Sequence, residues 1–124
     1  MIRVLLAEDE ESMRTYIKRS LERTGYSVTA VDRGTEALKL LEQEAYDLLL
    51  TDIVMPELDG IELAQRVAVM YPMMRVMFIT GFAAVALQNA AMPRDAKVLS
   101  KPFHLRDLVN EVDRLFQLGN AADI

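Results

Sequence analysis

Short apolar segments of strand length alternate with segments of helical periodicity along the whole chain. We predict five strands, at residues 2–7, 27–31, 47–51, 75–80 and 97–100. The runs at 48–50 and 76–79 are continuously apolar, which is typical of strands covered on both faces, so we expect these two to be central. Strands that alternate with helices indicate a parallel α/β fold with helices on both faces of one sheet.

Apolar residues that recur at steps of three and four predict the helices between these strands. The first helix ends near Gly25, a residue type that often follows a helix C-terminus, and the third stops before Pro72. A weaker, alanine-rich element is expected between residues 82 and 92. The apolar stripes of the four stronger helices are Met13, Tyr16, Ile17 and Leu21; Ala37, Leu38 and Leu41; Ile61, Ala64, Val67 and Ala68; and Leu105, Leu108, Val109, Val112, Leu115 and Phe116.

The composition fits one domain with a core of its own. The chain has 124 residues, 52% hydrophobic and 27% charged, and we expect a domain at 1–119 followed by a short tail at 120–124 and no further domain. Cysteine is absent, which excludes a disulfide scaffold and a thiolate zinc site. The net charge of −5 argues against nucleic-acid binding, and no segment is typical of a signal peptide or a membrane span. We therefore expect a cytoplasmic protein.

Polar side chains follow or end four of the five predicted strands. Glu8 and Asp9 follow the first strand, Asp52 the third and Lys101 the fifth, while Thr80 ends the fourth. Ligand sites in parallel α/β sheets lie beyond the carboxyl ends of the strands, so these five side chains are expected to converge. Crowded carboxylates favour a divalent cation, and Mg²⁺ commonly binds one or two carboxylates together with a phosphate.

This pattern indicates phosphoryl chemistry. Lys101 would supply a positive charge and Thr80 a hydroxyl donor to the oxygens of a phosphoryl group. Taken singly, each of the five residues could equally be a helix cap, an ordinary strand residue or a solvated loop residue. Their shared position at one edge of the sheet, with no such polar cluster at the opposite strand ends, favours the functional interpretation.

Five stretches of the chain, in order and spacing, carry a resemblance to a known family. They are LLAEDE at 5–10, LTDIVMP at 50–56, DG at 59–60, ITG at 79–81 and KPF at 101–103. Over nearly its whole length the chain resembles the receiver domains of two-component response regulators. The resemblance implies a flavodoxin-like, doubly wound sheet of strand order 2-1-3-4-5, and a peptide bond before Pro102 that is often cis.

The resemblance also implies roles for the site residues. Asp52 would be the phospho-acceptor, with Thr80 and Lys101 contacting the phosphoryl group. Mg²⁺ would be bound by Asp9, Asp52 and the backbone carbonyl of Val54, with Glu8 acting through water. The donor would be a phosphohistidine on a histidine kinase or a histidine phosphotransfer protein, and the chain would catalyse only its own phosphorylation and dephosphorylation.

The signalling output is expected from docking on a downstream protein. The KVLSKPF stretch at 97–103 resembles the CpdR type of stand-alone receivers from alphaproteobacteria, which couple a phosphorelay to proteolysis as adaptors for the ClpXP protease. Val98 departs from the family pattern, because many receivers carry at this position a Tyr or Phe that reports phosphorylation. Phe82, two residues after Thr80, could cover part of the site or be ordinary loop packing.

Three other kinds of protein fit the sequence less well than a phosphorylated receiver. A constitutive interaction module without phosphorylation would not need the acidic residues, the threonine and the lysine that are all present. A Mg²⁺-dependent aspartyl phosphatase of the haloacid dehalogenase type needs a second acid where Val54 stands. A flavodoxin-like cofactor protein needs a phosphate loop after the first strand, where residues 8–11 are all acidic.

Overall fold

The computed structural model describes residues 1–81 and 97–122, with side chains described as far as residue 116. The predicted element at 82–92 and Phe82 lie outside the described residues. The elements are β1 (Arg3–Ala7), α1 (Glu11–Arg23), β2 (Ser27–Val31), α2 (Gly34–Gln43), β3 (Leu48–Asp52), α3 (Gly60–Met70), β4 (Arg75–Thr80), β5 (Lys97–Ser100) and α4 (Leu105–Ala122).

All five strands form one parallel sheet of order β2-β1-β3-β4-β5. The register places Leu6 beside Leu50 and Leu50 beside Met77. Strands β3 and β4 each pair with a neighbour on both sides, so the prediction that the two continuously apolar runs lie inside the sheet is confirmed. The predicted strand order is confirmed as well. Such a topology directs the carboxyl ends of all strands to the same edge.

The core has two main layers because side chains alternate between the faces of the sheet. Val4 and Leu6 of β1 belong to the cluster that packs against α1 and α4, whereas Leu5 and Ala7 belong to the cluster that packs against α2 and α3. The same division holds in β3, where Leu49 lies on the α2 and α3 side and its neighbours lie on the other. Helices therefore cover both faces, which explains the continuously apolar strands.

Two residues of the predicted helix stripes lie at the surface. Tyr16 of α1 is 62% exposed and Ala68 of α3 is exposed, while Ile17 and Val67 beside them are fully buried. The stripes predicted the two helices correctly, but these two residues of the stripes do not belong to the core. Consecutive helix residues are separated by about 100° around the axis, and a helix on a sheet buries a narrower stripe than the sequence pattern suggested.

The ends of the elements differ slightly from the prediction. Strand β3 begins at Leu48 and ends at Asp52, so Asp52 is the last residue of the strand and does not follow it. Helix α4 continues through Ala122 and includes the first residues of the predicted tail. Gly25 has a φ of 102° directly after the α1 cap, as expected for a residue that terminates a helix. In the described part of the chain, no helix combines the length and apolar character that a bilayer crossing requires.

Candidate functional site

Three carboxylates meet where β1 and β3 end. Glu8, Asp9 and Asp52 each offer a carboxylate oxygen, and these oxygens lie within 4.8 Å of one another. Glu8 is fully buried and Asp52 nearly so, whereas Asp9 is exposed to solvent. Parallel pairing brings the ends of β1 and β3 side by side, with Ala7 in register with Thr51, so residues 8 and 52 follow as neighbours. The predicted convergence of the acids is confirmed.

Lys101 joins the two buried carboxylates. Its Nζ atom lies 2.9 Å from Glu8 Oε1 and 2.9 Å from Asp52 Oδ2. The other oxygen of Glu8 accepts a hydrogen bond from the Glu10 amide at 3.1 Å. The Lys101–Pro102 peptide bond is cis, in agreement with what the resemblance to receiver domains implies. The lysine therefore compensates two negative charges that would otherwise repel each other in a poorly solvated place.

Thr80 and Val54 complete the edge of the sheet. Thr80 is fully buried at the carboxyl end of β4, and its carbonyl oxygen accepts a hydrogen bond from the Lys101 amide at 2.8 Å. The Val54 amide donates to Asp52 Oδ1 at 3.3 Å, and the Val54 side chain is 55% exposed. All six residues singled out from the sequence thus belong to one edge of the sheet, and an apolar side chain lies beside Asp52.

Burial dominates the electrostatics of Glu8. Loss of solvation raises the pKa of its carboxyl from 4.5 to about 7, although hydrogen bonds from Lys101 and the Glu10 amide act in the opposite direction. For Lys101, burial lowers the pKa, but hydrogen bonds to Asp52 and Glu8 outweigh that effect and the pKa is raised. The lysine therefore stays positively charged, while the Glu8 carboxyl is partly protonated near neutral pH.

The segment after β3 folds back closely on Asp52. The Gly60 amide donates to the Ile53 carbonyl at 2.8 Å, and a Cβ on Gly60 would lie only 2.1 Å from the Asp52 carbonyl oxygen. Only glycine allows so close an approach of two backbone segments. Asp59 then caps α3 by accepting a hydrogen bond from the Glu62 amide at 2.8 Å. The DG pair quoted from the sequence therefore fixes the end of this loop.

Sequence reasoning missed two sets of residues around the site. Arg14 of α1 donates to the Glu8 carbonyl at 3.0 Å, and its place six residues after Glu8 in a predicted helix was a signal that could have been used. Arg33 and Thr35, at the start of α2, contact the Glu57 carboxylate in the loop after β3. No sequence signal identifies this second contact, because its partners come from different loops.

The donor set fits a small hard cation. Mg²⁺ prefers oxygen ligands, keeps several waters and is commonly held by one or two carboxylates. Asp9, which is exposed, and Asp52, at the edge of the sheet, can each present an oxygen to such an ion, and the fully buried Glu8 lies beside them with Lys101 as its partner. Lys101 supplies one positive charge against three carboxylates, which leaves the cluster with a net negative charge that a divalent ion would neutralise.

Comparisons with known sequences agree with this geometry. The family model for the response regulator receiver domain matches residues 4–113. A response regulator receiver protein, CpdR, from Brucella abortus is 59% identical over 93% of this chain and 97% of its own length. The sensor kinase CckA of the same organism is 36% identical over 92% of this chain, which spans 12% of that kinase.

Solved structures show the same fold. A response regulator receiver protein from Sinorhizobium medicae aligns with a TM-score of 0.84 at 32% identity, covering 92% of this chain and 93% of its own. The response regulator TrrA from Thermotoga maritima, solved in complex with Mg²⁺ and BeF, aligns with a TM-score of 0.83 at 28% identity over 93% and 99%. With its sequence and its fold in agreement, the chain belongs to the response regulator receiver domain family of two-component signalling proteins.

Proposed function

We propose that the chain is a phosphorelay receiver that accepts a phosphoryl group on Asp52 from the phosphohistidine of a histidine kinase or a histidine phosphotransfer protein. The observation that carries the proposal is the cluster of Glu8, Asp9 and Asp52 with Lys101 2.9 Å from two of its members. Asp52 is the last residue of β3, at the edge of the sheet where Asp9 is exposed to solvent, so a donor would approach it from that side. Glu8 lies deeper and is fully buried.

Each residue of the site has a separate role in the phosphoryl transfer. An oxygen of Asp52 forms a bond to phosphorus as the bond from phosphorus to the donor imidazole nitrogen breaks, which leaves an acyl phosphate and a free imidazole. Lys101 releases Asp52 and pairs with a phosphoryl oxygen, and the Thr80 hydroxyl donates to another. Asp9, Asp52 and the Val54 carbonyl would hold Mg²⁺, with Glu8 acting through water. The bound ion would neutralise negative charge on the phosphoryl oxygens.

Output would come from docking. Phosphorylation adds nearly two negative charges at the end of β3. Thr80 and Lys101 would move toward these charges, and the surface around them would then bind a downstream target with a different affinity. Val98 packs with Phe78, Ile53 and Ile61, so this position offers no aromatic ring to report the change. The identity with the Brucella CpdR supports a finer proposal, in which this cytoplasmic receiver is an adaptor for the ClpXP protease.

Intact-mass spectrometry after incubation with acetyl phosphate and Mg²⁺ tests the acceptor. We expect a single phosphoryl adduct in the wild type, none in Asp52→Asn and none with EDTA. Beryllofluoride with Mg²⁺ should shift the amide resonances of residues beside Asp52. If no adduct forms and beryllofluoride leaves the spectrum unchanged, a constitutive interaction module replaces the phosphorylated receiver. Binding of the free and the beryllofluoride-bound protein to purified ClpX would test the adaptor role separately.

A further inference from the structure

Three consecutive residues at the start of α2 contact the middle of the loop after β3. The Thr35 hydroxyl donates to Glu57 Oε2 at 3.0 Å, and an Arg33 guanidinium nitrogen lies 3.6 Å from Glu57 Oε1. Between them, a Cβ on Gly34 would lie 2.4 Å from the Leu58 carbonyl oxygen. We name Arg33, Gly34 and Thr35 the α2 brace. Neither β2 nor α2 contributes a side chain to the acidic cluster, so the brace does not touch the reacting groups directly.

The braced residue has an unusual backbone. Glu57 has a backbone φ of 71°, a value that residues other than glycine seldom adopt. The Leu58 amide donates to the Pro56 carbonyl at 2.8 Å across this residue. Such a conformation persists only where surrounding contacts hold it. The hydroxyl, the guanidinium and the close backbone approach of Gly34 are contacts of that kind.

The loop held in this way carries part of the phosphoryl site. It begins at Asp52, whose Oδ1 accepts from the Val54 amide, and ends at Gly60, whose amide donates to the Ile53 carbonyl. The two ends are therefore fixed to each other just after β3, and the middle is fixed on α2. Val54 lies between these points, and the position of its carbonyl depends on both.

We propose that the α2 brace is a set of positioning residues for the phosphoryl site, which hold the loop from Ile53 to Asp59 so that the Val54 carbonyl is presented to Mg²⁺ beside Asp52. The brace touches neither the metal nor the phosphoryl group and acts through Glu57 and Leu58. This inference rests on the proposed function, because the Mg²⁺ site is part of it.

Two substitutions each disrupt one contact of the brace. Thr35→Val keeps the shape of the side chain and removes the hydroxyl donor, and we expect Mg²⁺ affinity to fall about threefold to tenfold. Gly34→Ala forces its new Cβ against the Leu58 carbonyl, and we expect a loss of about tenfold or more. Both should shift the Val54 and Leu58 amide resonances of the metal-free protein. Isothermal titration calorimetry and NMR supply these two readouts.

Matched controls lie at the opposite edge of the sheet. Thr24→Val also removes a threonine hydroxyl, one that donates to the Leu21 carbonyl at 2.8 Å. Gly25→Ala places a Cβ on a backbone with a φ of 102°, which is strained for alanine and should lower stability. No atom lies within 4 Å of this Cβ, so the substitution does not disturb the site. We expect both controls to bind Mg²⁺ within about twofold of the wild type, even where urea unfolding shows that Gly25→Ala is destabilised.

Glu57 offers a rescue test. Glu57→Ala removes the acceptor of the brace and should weaken Mg²⁺ binding as Thr35→Val does, whereas Glu57→Gln keeps a side-chain oxygen for the Thr35 hydroxyl and should retain most of the affinity. Wild-type affinity in Thr35→Val and Gly34→Ala, with an unshifted Val54 amide, would overturn the brace while leaving the proposed function intact. A wild-type protein that binds no Mg²⁺ would instead contradict the proposed function itself.

Discussion

Replacing Lys101 with methionine removes the positive charge shared by two buried carboxylates and keeps a side chain of similar length. Removing one partner of a buried ion pair commonly costs about 3–5 kcal/mol. The Lys101 side chain is 22% exposed, while those of Glu8 and Asp52 are 0% and 9% exposed. Because the lysine is partly hydrated, we expect a somewhat smaller loss in the free energy of unfolding, about 2–4 kcal/mol at pH 8 without Mg²⁺.

The loss should depend on pH. In the folded protein the Glu8 pKa is raised from 4.5 to about 7, so its contribution to stability falls as pH rises from 4.5 to 7. At pH 5.5 most folded molecules carry a neutral Glu8, so removal of the lysine leaves less negative charge unpaired. We expect Lys101→Met to lower the free energy of unfolding by about 1–2 kcal/mol at this pH. Without Lys101 a hydrogen bond that lowers this pKa is lost, so the charged form becomes still less favourable.

Urea unfolding followed by circular dichroism at pH 5.5 and pH 8 measures both values. Lys97→Met is the matched control, because the Lys97 side chain is 50% exposed and its Nζ lies 3.8 Å from a Glu111 carboxylate that keeps 24% exposure. We expect this substitution to lower the free energy of unfolding by less than about 1 kcal/mol at either pH. Saturating Mg²⁺ should restore much of the stability of Lys101→Met by replacing the missing charge. An equal loss at both pH values, together with no rescue by Mg²⁺, would refute the reasoning.

Three further outcomes follow from the same region. Gly60→Ala should lose about 2–3 kcal/mol in urea unfolding, because its Cβ would meet the Asp52 carbonyl at 2.1 Å, and a wild-type midpoint would contradict that close approach. Asp59→Ala should lose about 1 kcal/mol by removing the cap on the Glu62 amide, whereas Asp59→Ser, which can also cap, should lose much less. Calorimetric Mg²⁺ affinity should rise with pH through about 7, as Glu8 loses its proton, and Glu8→Gln should flatten that dependence.

Many boundaries of the strands and helices could be predicted from the sequence, because they depend on local patterns of apolar and polar residues. The predicted ranges 27–31, 75–80 and 97–100 are those of β2, β4 and β5. Runs of apolar residues of strand length, separated by amphipathic stripes, are sufficient for such predictions. The sheet edge at which the polar residues meet also follows from sequence, since parallel strands have their carboxyl ends on the same side.

Burial was harder to predict than periodicity. Tyr16 and Ala68 have the spacing of core residues, but both are exposed. Periodicity shows which residues share a side of a helix, and the width of the buried stripe depends on how the helix lies on the sheet. That orientation is a property of the packed layers and is not encoded in any single segment.

The sequence by itself determined the fold class, the alternation of elements and the set of polar residues at one edge. Tertiary structure alone decided that Lys101 contacts Glu8 across 93 residues of chain, and that Glu8 is buried deeply enough to have a pKa of about 7. It also decided that Glu57 takes a positive φ against the start of α2. These properties depend on solvent exclusion and contacts supplied by distant segments, and so they arise only when the layers pack together.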